Sequence, residues 1–212
     1  MDVINQQQIL VGFSDFLISL ISFWVAFFFK KQGCKNRLFS IWFDYFFLLA
    51  LVSLSGGIYH LLTPGFLKPP FSSLIWYIVL IGMGMMSMIG WRLFLMMGWQ
   101  KVMDKKIIFP ALLIIGVYAM IIFQYPYFKV ASIFFGCMAI SHVLLGLKKC
   151  FEAFRFSWFF YILGWLTYLL GAGVQFLDLS WDALLLSNNT LYHLITCISI
   201  SISCMSIKKI II

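Results

Sequence analysis

Hydrophobic residues fall in seven long runs, and polar residues gather in the short segments between them. The runs lack the strict alternation that strands of a membrane barrel need, and most reach the roughly 20 residues with which a helix crosses a bilayer core. The pattern therefore predicts an all-α, polytopic membrane protein, a bundle of seven transmembrane helices. The predicted spans are Ile9–Phe29, Leu38–Leu62, Ser72–Trp99, Ile107–Phe123, Tyr127–Leu147, Ser157–Leu177 and Asn188–Ile207.

Composition supports this class and excludes others. Of the 212 residues, 63% are hydrophobic and 10% are charged, and the mean hydropathy is +1.01. A soluble domain cannot cover so much apolar surface, a disordered chain is more polar, and the five cysteines are too few for a disulfide scaffold. Seven spans of about 20 residues leave only short loops, so residues 1–212 are expected to form a single transmembrane domain.

Basic residues lie mainly on one side of the predicted membrane. That side receives Lys30, Lys31, Lys35, Arg37, Lys101, Lys105, Lys106, Lys148, Lys149, Arg155, Lys208 and Lys209, and the other receives Lys68 and Lys129. The richer side is expected in the cytoplasm, which places the N-terminus outside and the C-terminus inside. The net charge of +8 is then explained by this topology and by attraction of the basic loops to anionic lipid, so no nucleic-acid partner is expected.

The segment before the first span bears on processing and location. Met1–Gln8 contains no Lys or Arg, whereas a secretory signal has a positive leader, so we expect the first span to be retained. The chain is expected to be an integral protein of a bacterial inner (plasma) membrane, in contact with membrane lipid. Its oligomeric state is left open.

Three ionisable side chains are predicted in the cytoplasmic half of the bundle. Asp44 and Arg92 lie roughly 10 Å from the cytoplasmic ends of the second and third spans, so we expect an ion pair between neighbouring helices, with a proton or substrate relay as the alternative. His142 lies near the inner end of the fifth span, where we expect it to form a hydrogen bond between helices.

A second polar group is predicted in the outer half. Asp15 lies in the first span, His60 near the end of the second and His193 in the first turns of the seventh. A polar stripe on the seventh span contains Asn189, His193, Thr196 and Ser203 at helical spacing. Two histidines and a carboxylate are the ligand types of catalytic zinc sites, so a wet pocket with zinc held by Asp15, His60 and His193 is one interpretation. Hydrogen bonds that only set helix packing are the other.

These residues carry a resemblance to a known group. A seven-span bundle with its N-terminus outside, Ser53 or Ser55 and His60 at the end of span two, and His193 near the start of span seven resembles the CREST superfamily of alkaline ceramidases and adiponectin-receptor-like proteins. The resemblance implies zinc-dependent hydrolysis of a lipid amide or ester. Asn189 stands where that group has the first His of its HxxxH pair, and Thr63–Phe71 lacks its Asp, for which Asp15 would have to substitute.

Two functions therefore stay open. In the first, the chain is a membrane lipid hydrolase in which zinc activates water and Ser55 or Asn189 stabilises the developing oxyanion. In the second, it is a non-catalytic seven-helix receptor or lipid- or small-ligand-binding protein. A retinal-binding role is disfavoured because the Lys residues of span seven, Lys208 and Lys209, lie only at its cytoplasmic end.

Overall fold

The computed structural model describes residues 3–33, 36–63, 66, 68–98, 108–181 and 186–211. Within them the chain forms seven helices and no strand: α1 Val3–Gly33, α2 Arg37–Leu62, α3 Phe71–Gly98, α4 Ile108–Gln124, α5 Phe128–Glu152, α6 Phe156–Phe176 and α7 Asn188–Ile211. Their bounds agree closely with the apolar runs, which confirms the all-helical prediction.

Six of these helices are long and apolar enough to cross a membrane, so the chain is an integral membrane protein by length and composition. The exception among the described helices is α4, whose 17 residues reach only about 25 Å. At the start of α2, the Asn36 side chain accepts a hydrogen bond from the backbone N–H of Leu38 at 2.9 Å, which caps the helix where its first N–H groups lack partners.

The helices form a ring. α1 packs against α2 and α7, α2 against α3, α3 against α5, α5 against α6, and α6 against α7. α4 packs on α3, where the Tyr118 hydroxyl donates to the carbonyl of Leu80 at 2.6 Å. Because the first and last helices touch, residues that are nearly 180 positions apart in the chain can share one site.

Close helix contacts depend on small residues, and two crossings illustrate this. At Gly82 of α3 a Cβ would run into the side chain of Val52 on α2, and at Gly164 of α6 it would run into Ser203 on α7. Any larger residue at these positions would push neighbouring helices apart, as expected for packing in a membrane, where small residues let backbones approach.

The expected ion pair between Asp44 and Arg92 is not formed. Both side chains are exposed on the outside of the bundle, and neither makes a salt bridge with another described residue.

Candidate functional site

A cavity of about 160 Å³ lies inside the ring of α1, α2, α3, α5, α6 and α7. One end, which we call the polar end, is lined by Asp15, Ser53, His60, Gln175, Asn189 and His193. The other end, which we call the aromatic end, is lined by Trp42, Tyr45, Phe46, Phe135, Trp165 and Tyr168. Thr196, Ser199 and Ser203 of α7 also line the cavity. The indole N–H groups of Trp42 and Trp165 and the Tyr168 hydroxyl are buried without a hydrogen-bond partner among the described residues. The cavity therefore offers a ring-lined, mostly apolar interior below a small group of ionisable and amide side chains.

The centre of the polar end is the contact between α1 and α7. His193 Nε2 lies 3.5 Å from Asp15 Oδ1, and Nδ1 lies 2.9 Å from the Ser14 hydroxyl. That hydroxyl donates to the carbonyl of Val11 at 2.8 Å, so its oxygen accepts the Nδ1–H of the ring. His193 thus keeps Nε2 toward the carboxyl group, and both residues are only 6% exposed.

Gly56 on α2 leaves room for the Asp15 carboxyl group. A Cβ at this position would lie 3.0 Å from Asp15 Oδ2, which is tighter than nine in ten real Cβ contacts. The absence of a side chain at Gly56 therefore lets α2 pack directly over the carboxyl group, which holds Asp15 between α2 and α7 rather than toward lipid.

His60 reaches the same cavity from α2. Its Nδ1–H donates to Gln8 Oε1 on α1 at 2.8 Å, and its ring is only partly buried. In the neutral ring this hydrogen bond leaves Nε2 as an acceptor, and Nε2 makes no hydrogen bond with a described residue. His60 is therefore anchored at one nitrogen and available at the other.

Two amides complete the polar end. Gln175 of α6 donates from Nε2 to Asn189 Oδ1 of α7 at 2.7 Å. Gln175 Oε1 is buried and has no hydrogen-bond partner among the described residues. Since a buried polar atom without a partner costs roughly 1–3 kcal/mol, this oxygen is a ready acceptor for a donor on a bound molecule or a water.

The loop after α6 links the helix ends beside these amides. Asp178 has a left-handed φ of 53° and accepts a hydrogen bond at Oδ1 from Asn188 Nδ2 at 2.9 Å. Its Oδ2 lies 3.3 Å from Lys129 Nζ at the start of α5. These two contacts join the ends of α5, α6 and α7 next to the polar end. The side chains that form them are exposed to solvent.

The structure brings together four of the five residues predicted for the site. Asp15, His60, His193 and Asn189 all line the cavity. Ser55 does not: its hydroxyl donates to the carbonyl of Leu51 at 3.0 Å, and Ser53 lines the cavity instead. Two residues along a helix differ by about 200° in direction, so only one of the two serines can face inward.

The described side chains do not present a preassembled metal centre. Within the described ranges, no group of three or more His, Cys, Asp or Glu side chains is arranged to hold a metal ion. His193 already has a protein partner near each ring nitrogen, and one nitrogen of His60 is bonded to Gln8. Zinc therefore stays a prediction that needs a rearranged polar end.

The remaining buried histidine, His142, is separate from this cavity. Nε2–H donates to the carbonyl of Gly90 on α3 at 2.9 Å, so Nδ1 accepts a hydrogen bond from the Tyr161 hydroxyl on α6. The ring stacks on Trp165, with centroids 4.5 Å apart and planes at 10°. The predicted hydrogen bond between helices is confirmed. The His142 ring packs on the face of Trp165, a residue that lines the aromatic end.

Several contributors to the site were not found from the sequence. Gln8, Ser14 and Gln175 hold or extend the polar end, and Trp42 and Trp165 form much of the aromatic end. A signal did exist for Gln175, a lone amide inside an apolar run, and for Ser14, which precedes Asp15 on the same helix. Gln8 had none, because it lies before the first predicted span.

Comparison with known proteins gives one result. Residues 10–211 match the model of a family described as a family of unknown function, DUF6962. No curated protein and no solved structure matches the chain.

Proposed function

The chain belongs to the DUF6962 family, whose function is unknown, and we propose that the protein binds a small amphiphilic, lipid-like ligand inside the helical bundle. The cavity is the basis of this proposal. The observation that carries this proposal is the division of one cavity into a polar end and an aromatic end. A ligand with a hydrogen-bonding head and an apolar body matches both ends at once.

The size of the cavity limits the ligand. An apolar cavity of about 150 Å³ in another protein accepts benzene, so about 160 Å³ suits a ring or a short acyl segment rather than a whole phospholipid. Gln175 Oε1 and His60 Nε2 have no hydrogen-bond partner among the described residues. Both atoms favour a head group that donates hydrogen bonds, such as a hydroxyl or an amide.

The experiment is native mass spectrometry of the protein purified with lipids of its host membrane. The wild-type chain should carry one small molecule, and Ser53→Phe, which fills the cavity from a buried position, should lose it. Ser73→Phe makes the same change at an exposed position outside the cavity and is the matched control, expected to keep the molecule. A wild-type chain without a bound molecule, or equal occupancy in Ser53→Phe, would contradict the proposal.

A second candidate is hydrolysis of a lipid amide or ester, as the CREST resemblance implies. It is favoured by the meeting of Asp15, His60 and His193 in one cavity, and these three residues would hold the zinc ion. Bound zinc would supply an acidified water as nucleophile. Asn189 is in the cavity as a candidate for oxyanion stabilisation, whereas Ser55 would first have to turn inward.

Metal analysis separates the two candidates. The hydrolase proposal expects stoichiometric zinc in the purified protein and its loss in both His60→Ala and His193→Ala. Cys137→Ala is the control, because this exposed thiol is a possible zinc ligand that lies outside the cavity. No zinc, or zinc retained in both histidine variants, would end the hydrolase proposal and leave ligand binding as it stands.

We also propose that all seven helices cross the membrane, with the N-terminus outside and the C-terminus in the cytoplasm. The distribution of Lys and Arg supports this arrangement. A crossing α4 puts the two termini on opposite sides, whereas six crossings put them on the same side. Protease accessibility of terminal tags in right-side-out and inside-out vesicles decides, and tags cleaved in the same preparation would contradict seven spans.

A further inference from the structure

Two opposite charges, Asp44 on α2 and Arg92 on α3, are exposed on the outside of a membrane-spanning bundle. Neither forms a salt bridge with a described residue. Charges that face lipid are costly, and in membrane proteins they are almost always paired or placed in a polar environment. Arg can extend toward the lipid head groups, but the short Asp side chain cannot, so Asp44 needs a nearby partner.

The two charges lie at one depth. α2 and α3 run antiparallel and touch where Gly82 packs on Val52, and again where the rings of Tyr59 and Trp76 lie 4.9 Å apart. Counted from the contact of Val52 with Gly82 at about 1.5 Å per residue, Asp44 lies about 12 Å and Arg92 about 15 Å along the same direction. Their depths therefore differ by only about 3 Å.

The two charges also share one outward face. Asp44 is two residues beyond Trp42, and Arg92 is two residues beyond Gly90, so each points about 200° away from that residue. Trp42 and Gly90 both face the interior, where His142 contacts the Gly90 carbonyl and lies beside the Trp42 ring. Asp44 and Arg92 must then point away from the bundle on neighbouring helices.

The rest of this face is open. On α3 the exposed residues Leu74, Ile78, Ile81 and Met85 continue the stripe that ends at Arg92. On α2, Leu51 lies seven residues after Asp44 and is exposed too. We call the outward surface of α2 and α3 that carries these residues the α2–α3 face. It is an apolar surface with one charge of each sign at one level.

We propose that the α2–α3 face binds a second copy of this chain, with Asp44 of each copy paired to Arg92 of the other. Two copies in one membrane have the same vertical orientation, so their two-fold axis runs along the membrane normal and preserves depth. Such an axis places α2 of one copy against α3 of the other. A face with opposite charges at equal depth on adjacent helices is then self-complementary, and two reciprocal ion pairs form.

The test uses charge reversal and mixing. Asp44→Arg alone places like charges opposite each other in both pairs, and Arg92→Asp alone does the same with the opposite sign. Each single variant should raise the dimer dissociation constant at least tenfold. A one-to-one mixture of the two variants should form heterodimers. In a heterodimer the new Arg at position 44 of one chain faces the new Asp at position 92 of the other. The native Arg92 of the first chain still faces the native Asp44 of the second. A pairing within one chain cannot be restored by mixing.

Dimers are counted by two-colour single-molecule photobleaching in dilute lipid bilayers. The wild type should bleach in two steps, each single variant in one, and the mixed variants in two steps of different colour. Lys209→Asp, a reversal of an exposed charge at the same end of the bundle on α7, should leave the wild-type dimer intact.

Two results would overturn the proposal. One is a wild-type chain that bleaches in a single step, which means that lipid or the chain itself satisfies both charges. The other is a mixture of the two variants that stays monomeric. The number of bleaching steps of the wild-type chain can be measured without any variant. It therefore tests the proposal even if a reversed charge prevents a variant from inserting into the membrane.

Discussion

Two buried histidines, His142 and His193, differ in what surrounds them. His142 is fully buried, and its two nitrogens are bonded to the Gly90 carbonyl and the Tyr161 hydroxyl while Trp165 covers its face. His193 lines the cavity, with one nitrogen on Ser14 and the other 3.5 Å from a carboxyl group. Both side chains therefore join helices, but of the two only His193 also borders the cavity.

This difference shows how to separate packing from function inside a membrane. A polar side chain whose every donor and acceptor is used by rigid neighbours has nothing left for a ligand. A polar side chain that borders empty space and has a long or missing partner keeps binding capacity. By that criterion the polar end keeps binding capacity, whereas His142 has none left. Four substitutions test this contrast.

The largest effect is expected for His142→Ala. The substitution deletes two buried hydrogen bonds and a stacked ring at a fully buried position. It leaves a void, an unpaired Gly90 carbonyl and a Tyr161 hydroxyl that keeps only its weak contact with Met97 Sδ at 3.9 Å. The free energy of unfolding should fall by about 3 kcal/mol, measured by reversible unfolding in detergent micelles. A loss below about 1 kcal/mol would mean that His142 is not a structural contact.

Tyr161→Phe tests one of the two hydrogen bonds of His142 separately. It removes only the hydroxyl that donates to His142, while the ring remains in its fully buried place. The expected loss is about 1.5 kcal/mol, because one buried acceptor goes unpaired and packing is kept. If Tyr161→Phe costs as much as His142→Ala, the hydroxyl alone carries the contact and the stacking on Trp165 adds nothing.

His193→Ala tests the other side. The change deletes the hydrogen bond to Ser14 and the contact with Asp15, but these groups border a cavity in which water can replace the imidazole. The free energy of unfolding should therefore fall by only about 1 kcal/mol. Occupancy of the bound molecule in native mass spectra should fall more than tenfold, whereas Tyr161→Phe should leave it within twofold. Equal stability losses in His193→Ala and His142→Ala, with unchanged occupancy, would erase the distinction between the two histidines.

The smallest effect is expected for Lys129→Ala. Its ion pair with Asp178 has side chains that are 55% and 67% exposed, so water screens the attraction. We expect a change in the unfolding free energy of about 0.5 kcal/mol or less in thermal scans, even though the pair lies next to the polar end. A loss of more than about 1 kcal/mol would show that the α5–α6 contact, rather than the cavity lining, holds that end together.

The helices could be predicted from the sequence because the bilayer requires long apolar runs with charged ends. Leu38–Leu62 was predicted where Arg37–Leu62 is found, and α7 begins at the predicted Asn188. Helical spacing also placed Asn189, His193, Thr196 and Ser203 on one face, and all four line the cavity. These features depend on one helix at a time.

Features that depend on two helices were harder to predict. Asp44 and Arg92 were expected at one depth and lie at one depth, but both point outward, because depth does not fix the direction of a side chain. The contact of Asp15 with His193 depends on closure of the ring by α1 and α7, which no local pattern encodes. The choice of Ser53 over Ser55 depended on which side of α2 faces inward.

The most direct measurement is an experimental density map of the protein in lipid nanodiscs. The account predicts non-protein density inside the ring of helices, with its polar part against Asp15 and His193 and its body between Trp42 and Trp165. A bundle in which side chains fill that space, or in which the His193 ring turns out toward the acyl chains, would contradict it.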